Sequence, residues 1–200
     1  MKPKTSKEKK IAAVFSNYNL SPNSINKLLE IAKVVSVKNR SKIVEVGDIS
    51  QYCYFIVEGG FVARSYYFDS QKKSTTNFFL SDYFPFMGCL DSFFTGTKTK
   101  TELIAIKNST LITFHKPELD KILFENHDIL LFYLQMISEV LRNESELKVV
   151  LIGSSKKDIY EYLIEKCNPV IKNVPAKYIA EFMGITAEWY SKMRKGVINK

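Results

Sequence analysis

Glu188, Ser191, Lys192, Arg194 and Lys195 lie within eight positions of one another and carry the chemistry of nucleic-acid recognition. A glutamate can accept a hydrogen bond from a cytosine amino group, and a lysine can donate to guanine O6 and N7. Serine, arginine and a further lysine suit phosphate oxygens, which position a protein without specifying sequence. Such side chains act together only if a scaffold points them one way, and residues 177–195 predict one. Ile179, Met183, Ile185, Tyr190 and Met193 fall where two short helices crossing at about 90–120° turn inward. Ala180 is small where the helices approach, and Gly184 suits the left-handed end of the first helix. Thr186 can cap the second. With Thr186, Tyr190 and Met193 inward, the outward face presents Ala187, Glu188, Ser191, Lys192 and Lys195, and Trp189 at the border is assigned to packing. An apolar stripe alone signals only core. The coincidence of small residue, turn glycine, cap and register predicts a helix-turn-helix, whose second helix is a standard reader of the DNA major groove.

Other chemistries find little support. Cys53, Cys89 and Cys167 are widely spaced, forming neither a disulfide framework nor a metal-ligand set, and read as buried reduced thiols. His115 and His127 are the two histidines, so the strand-rich region before them lacks the clustered ligands of a metal-dependent cupin. No G-x-S-x-G, H-E-x-x-H or phosphate loop occurs, so no enzyme is expected. A net charge of +8 favours acidic partners; Lys2, Lys4, Lys7, Lys9 and Lys10 load a polar N-terminal arm. No apolar run approaches the roughly 20 residues of a membrane span, and Ile11–Phe15 is too short for a signal peptide. A cytoplasmic protein without membrane contact is expected.

The elements that must hold the reading face follow from patterning. Ser21-Pro22 is a helix start, with Ile25, Leu28, Leu29 and Ala32 on one apolar face. From about Val34 to Phe114, β-branched and aromatic runs recur at 42–46, 52–58, 61–68, 75–80, 103–106 and 111–114. Gly47-Asp48, Gly59-Gly60, Asp69-Ser70 and Ser81-Asp82 punctuate them. Short, regularly spaced strands predict an antiparallel sandwich or roll. After Lys116-Pro117 comes a long helix with Ile129, Tyr133, Met136, Val140, Leu147 and Leu151 along one seam, interrupted at Asn143 and Glu144. That stripe fits either the chain's own core or a helix–helix dimer. Gly153-Ser154-Ser155 predicts a hinge, and a further amphipathic helix over 156–167 leads through Asn168-Pro169 to the helix-turn-helix.

This order, with Val46-Gly47-Asp48 followed by Tyr54–Gly59 and with Tyr178-Ile179-Ala180 followed by Gly184-Ile185-Thr186-x-Glu188, resembles the Crp/Fnr family of bacterial transcription regulators, in a Bacteroidetes-type version. The resemblance implies an α+β chain: an N-terminal antiparallel β-roll, jelly-roll-like and cyclic-nucleotide-binding-like, over 1–117; a dimerisation helix and hinge over 118–153; and an all-α DNA-binding domain over 154–200. It implies Glu188 and Lys192 as base readers, Ser191, Arg194 and Lys195 as phosphate contacts, and Ile129, Tyr133, Met136, Val140 and Leu147 as the dimer seam. Its partners would be double-stranded DNA and a second copy of the chain, with RNA polymerase a further candidate.

Two departures narrow the inheritance. Cyclic-nucleotide-binding members carry Gly-Glu for the ribose and, about ten residues on, Arg-Ser/Thr for the cyclic phosphate. Here Gly88-Cys89 stands at the first place, and no arginine occurs from Phe86 to Thr101. Lysine lacks the bidentate fork that grips a phosphate, so cyclic AMP and GMP are not expected and no cofactor is assigned. Gly88, Cys89, Lys98, Thr99 and Lys100 remain as an effector cassette for another small anion, or as a solvated basic loop. The second departure is that only Gly196–Lys200 follow the recognition helix, too few for the family's β-wing. The alternative function is therefore an effector-binding or interaction protein with a degenerate, wingless helix-turn-helix.

Overall fold

The computed structural model describes residues 11–12, 14–16, 18, 20–66 and 73–198; the basic arm at 2–10 and the turn at 69–70 lie outside them. Helix α1 (Pro22–Ile31) starts as its residues predict: the Ser21 hydroxyl accepts the Ser24 amide at 3.2 Å, with proline in the first turn. The Asp128 carboxylate accepts from the Ser21 amide at 3.0 Å and the Ser24 hydroxyl at 2.7 Å, tying this start to the long helix.

Strands β1 (Lys33–Val37), β2 (Lys42–Val44), β3 (Tyr52–Glu58), β4 (Gly60–Tyr66), β5 (Lys73–Leu80), β6 (Phe86–Met87), β7 (Thr101–Ala105) and β8 (Ser109–His115), with the short helix α2 (Leu90–Thr95) between β6 and β7, form the expected roll. Two antiparallel sheets face each other, in orders β1-β8-β3-β6 and β2-β7-β4-β5. The chain crosses between them at Gly59, whose φ of +103° is left-handed and whose added Cβ would collide with the Ser109 side chain. The residues of β1 lay inside the expected β region, whereas β6 and α2 had no separate signal: each is too short to show a period.

The second sheet is buried on both faces. Phe61, Ala63, Phe79, Leu103 and Ala105 point into the roll, while Val62, Phe78, Leu80, Ile104 and Ile106 point out and are covered by C-terminal helices. That explains the unbroken apolar runs of β4, β5 and β7, since a strand with one solvated face alternates.

The expected long helix is two. Helix α3 (Lys116–Glu125) ends at Asn126, which is extended and donates from Nδ2 to the Ile122 carbonyl at 2.9 Å; α4 (His127–Gly153) follows. The anticipated dimer seam is corrected here. Ile129, Met136, Val140 and Leu147 are buried in their own chain, and Tyr133 packs half-buried at 6.0 Å from the Phe86 ring. They belong to cores that include Phe55, Phe86 and Phe114 of the roll and, for Leu147, the C-terminal helices. The stripe marks the face of α4 turned to its own roll, which periodicity alone cannot distinguish from a partner-facing one. Leu131, Leu134, Leu141, Val149 and Ile152 are exposed on α4 instead.

Beyond Gly153, α5 (Lys156–Lys166) opens with a reciprocal cap between Ser155 and Asp158. Helices α6 (Asn168–Asn173), α7 (Ala176–Met183) and α8 (Ala187–Ile198) complete the chain. Pro169 stands in the first turn of α6 rather than in the expected connection. Ile159, Tyr160, Leu163, Val170, Ile179, Met183 and Tyr190 form a core continuous with the outer face of the second sheet.

Candidate nucleic-acid interface and effector cavity

The α7–turn–α8 unit has the predicted construction, except that Thr186, expected to face inward, is exposed. Gly184 ends α7 at φ +65°, ψ +39°, and the Ile185 amide returns to the Ala180 carbonyl at 3.0 Å. The Thr186 hydroxyl accepts the Trp189 amide at 3.1 Å, starting α8. Ile179, Met183 and Tyr190 are fully buried, with Ile185 and Met193 half-buried beside them. The Tyr190 ring meets Tyr160 edge-on at 5.6 Å. Burial pushes both phenols above the ordinary range, and the Arg194 charge partly offsets it.

Opposite this core, Glu188, Ser191, Lys192, Arg194 and Lys195 are all exposed on α8. Lys156, at the start of α5, brings its Nζ to 3.6 Å from where a Cβ on Gly184 would sit. Trp189, expected to pack, is 47% exposed and lies on the outward side with Glu188 and Lys192. A residue at the border of two faces is decided by how far the neighbouring helix extends beneath it, which the local sequence does not encode.

Sequence reasoning missed the clasp between this unit and the roll. The Arg64 guanidinium on β4 grips Glu181 of α7 with both ends, Nε to Oε2 and Nη2 to Oε1 each at 3.0 Å. Its remaining nitrogen reaches Glu102 Oε1 of β7 at 3.3 Å. Thr75 of β5 donates to Glu181 at 2.9 Å, and Lys73 and Lys42 meet Glu102 Oε2 at 2.9 and 3.2 Å. Burial pushes the Glu102 carboxyl up, but Lys73 and Lys42 together outweigh it and hold it below its usual range. A second clasp centres on Tyr83, whose hydroxyl lies 3.3 Å from Asn143 Oδ1 of α4 and 3.2 Å from Cys167 Sγ between α5 and α6. The available signal was Arg64 and Glu102 set inside otherwise apolar strands, since charges there are seldom buried without partners.

Between the roll and α4 lies a cavity of about 580 Å³, bounded by Ala63, Phe79, Thr101, Leu141 and Leu151 among others. Gly88 and Cys89 of the expected cassette line it. Burial pushes the Cys89 thiol up to about 11, with a hydrogen bond to Thr99 acting the other way. The basic half of the cassette is placed differently. Lys98 and Lys100 are exposed and absent from the cavity wall, and Thr99 is buried in the loop with its hydroxyl accepting the Thr101 amide at 3.0 Å. Among the described residues the charged ones on the wall are Asp91, Glu144 and Lys148, so carboxylates outnumber ammonium groups there where an anion site was expected. The loop after α2 turns away at Gly96, φ +70°, and carries its lysines outward.

Among the described residues no cluster of three or more His, Cys, Asp or Glu could hold a metal, and no helix is long and apolar enough to cross a membrane. Neither a protein-family model nor a curated protein sequence matches the chain. Solved structures do. FixK2 from Bradyrhizobium japonicum aligns at a TM-score of 0.70 and 15% identity, covering 84% of this chain and 85% of that one. CLP, a c-di-GMP-responsive global regulator from Xanthomonas campestris, aligns at 0.68 and 14%, covering 90% and 92%. A putative transcriptional regulator of the Crp/Fnr family from Eubacterium rectale aligns at 0.65 and 14%, covering 92% and 87%. The fold is thus shared across most of each chain, and this protein is built on the fold of the Crp/Fnr regulators.

Proposed function

We propose that the protein is a DNA-binding transcription regulator, not an enzyme, that reads a pseudo-palindromic duplex as a homodimer. The supporting observation is the capped helix α8, buried along Tyr190 and presenting Glu188, Ser191, Lys192, Arg194 and Lys195 to solvent. Glu188 and Lys192 read base edges, and Ser191, Arg194 and Lys195 hold phosphates. Residues 1–117 form the effector unit, 118–153 the dimerisation helix and hinge, and 154–200 the reading unit. Two copies pair along the exposed face of α4 at Leu131 and Leu134, and at Leu141 and Ile152 where that face borders the cavity. Cyclic AMP is not the effector: Cys89 stands where the ribose glutamate belongs, no arginine occurs from Phe86 to Thr101, and Asp91 and Glu144 offset Lys148 on the cavity wall.

Fluorescence anisotropy against duplexes selected from a random pool tests this function. A dimer neutralising six to ten phosphates loses roughly 10³–10⁵ in affinity between 50 and 200 mM salt. Lys192→Ala weakens binding and relaxes one position of the site. Absence of duplex binding by the wild type at low salt refutes the function and favours an interaction protein with a degenerate helix-turn-helix. A single chain at micromolar concentration in sedimentation, both free and on the duplex, refutes the paired arrangement.

A further inference from the structure

We infer that Trp189 is a specificity-determining residue that recognises thymine through its 5-methyl group, an assignment resting on the DNA-reading function proposed above. It is the only tryptophan in the chain, and its indole is 47% exposed near the start of α8, beside Glu188 and one turn before Lys192. The main chain that carries it is held on both sides. Its own amide is bonded to the Thr186 hydroxyl at 3.1 Å. The next residue, Tyr190, is 2% exposed and seated on Tyr160.

The half-exposed indole presents a large apolar ring to whatever meets this face of α8. The surround identifies that partner. Lys192, Arg194 and Lys195 are exposed on the same helix, so the occupant is a polyanion rather than an apolar protein face. Within a duplex, the apolar feature presented to a helix in the major groove is the thymine methyl. Glu188 and Lys192 then take the polar edges of neighbouring pairs, so that one turn of α8 combines an apolar contact with two polar ones.

The test uses the full chain and a duplex recovered by selection from random sequence. Because there is one tryptophan, emission excited selectively beyond the tyrosine absorption reports this residue alone; saturation with duplex is expected to quench it or shift it to the blue. Each thymine in the half-site is then replaced by deoxyuridine, which lacks only the methyl group. Wild-type affinity falls about fourfold at one position, as for loss of one buried methyl. Trp189→Ala binds the parent duplex more weakly and is indifferent to that replacement, and Trp189→Phe retains part of the discrimination. Circular dichroism confirms that both variants fold. Unchanged emission on a duplex that does bind, or equal deoxyuridine sensitivity in Trp189→Ala and wild type, overturns the assignment while leaving DNA reading intact. Failure of the wild type to bind any selected duplex overturns both.

Discussion

Arg64→Ala provides the sharpest check on how the reading unit is held to the roll. The substitution removes two bonds at 3.0 Å to Glu181 and one at 3.3 Å to Glu102. The partners keep some compensation: Glu181 retains the Thr75 hydroxyl, and Glu102 retains Lys73 and Lys42. Side-chain exposures of 20% for Arg64 and 29% for Glu181 place the pair between the surface and the deep interior. Exposed pairs contribute about 0–1 kcal/mol, and breaking a buried one costs about 3–5 kcal/mol. A loss of about 2 kcal/mol in the attachment of α7 follows from those bounds. It corresponds to roughly 30-fold faster hydrogen exchange in 176–183 wherever exchange proceeds by opening of that contact. Exchange in the strand pair β3–β8, remote from the clasp, stays nearly constant. A double-mutant cycle with Glu181→Ala, read by urea unfolding, should show coupling of at least about 1 kcal/mol. Additive single effects, or uniform acceleration across β3 and β8, would refute the claim that this ion pair clamps the reading unit.

Acid weakens the same clasp. The folded state holds the Glu102 carboxyl below its ordinary value of 4.5, so the stability it adds is complete above that value and is lost as pH falls through the lower, folded one. Between about pH 5 and pH 3, wild type loses more unfolding free energy than Glu102→Gln; parallel curves contradict the sign. Thiol reactivity is the next measurement: burial pushes Cys53 up to about 12 and Cys89 up to about 11, so a thiol reagent at neutral pH labels them only after urea is added. Prompt labelling of the native chain would show them accessible. Thr186→Ala removes the cap on α8, lowers stability by about 1 kcal/mol and weakens DNA binding. A variant unchanged in both melting and anisotropy would remove Thr186 from the account.

Much of the architecture was legible in residue order because its signals are local. Ser21-Pro22, the strand break at Gly59 and the Gly184–Thr186 turn each have a backbone or capping requirement that few residue types meet, and each appears in the structure where its residues predicted it. The strands announced themselves through β-branched and aromatic runs between turn residues. The polar face of α8 followed from helical period once Tyr190 and Met193 were turned inward. What failed were the inferences about which surface the stripe of α4, the cassette lysines and Trp189 would meet.

Ile129, Met136, Val140 and Leu147 have the same spacing whether they bury against a roll or a second helix, and the roll occupies them. Lys98 and Lys100 belonged to the expected cassette but were turned outward by the path of the loop, leaving Asp91, Glu144 and Lys148 at the cavity. Arg64 and Glu181 are 117 residues apart and meet because the outer face of the second sheet receives α7. Sequence by itself determined the type of most elements, their main punctuation and the order of units, since these depend on neighbours within a few residues. Partner choice for each face was decided only in three dimensions: hydrophobic burial is non-directional and rewards any apolar surface that arrives.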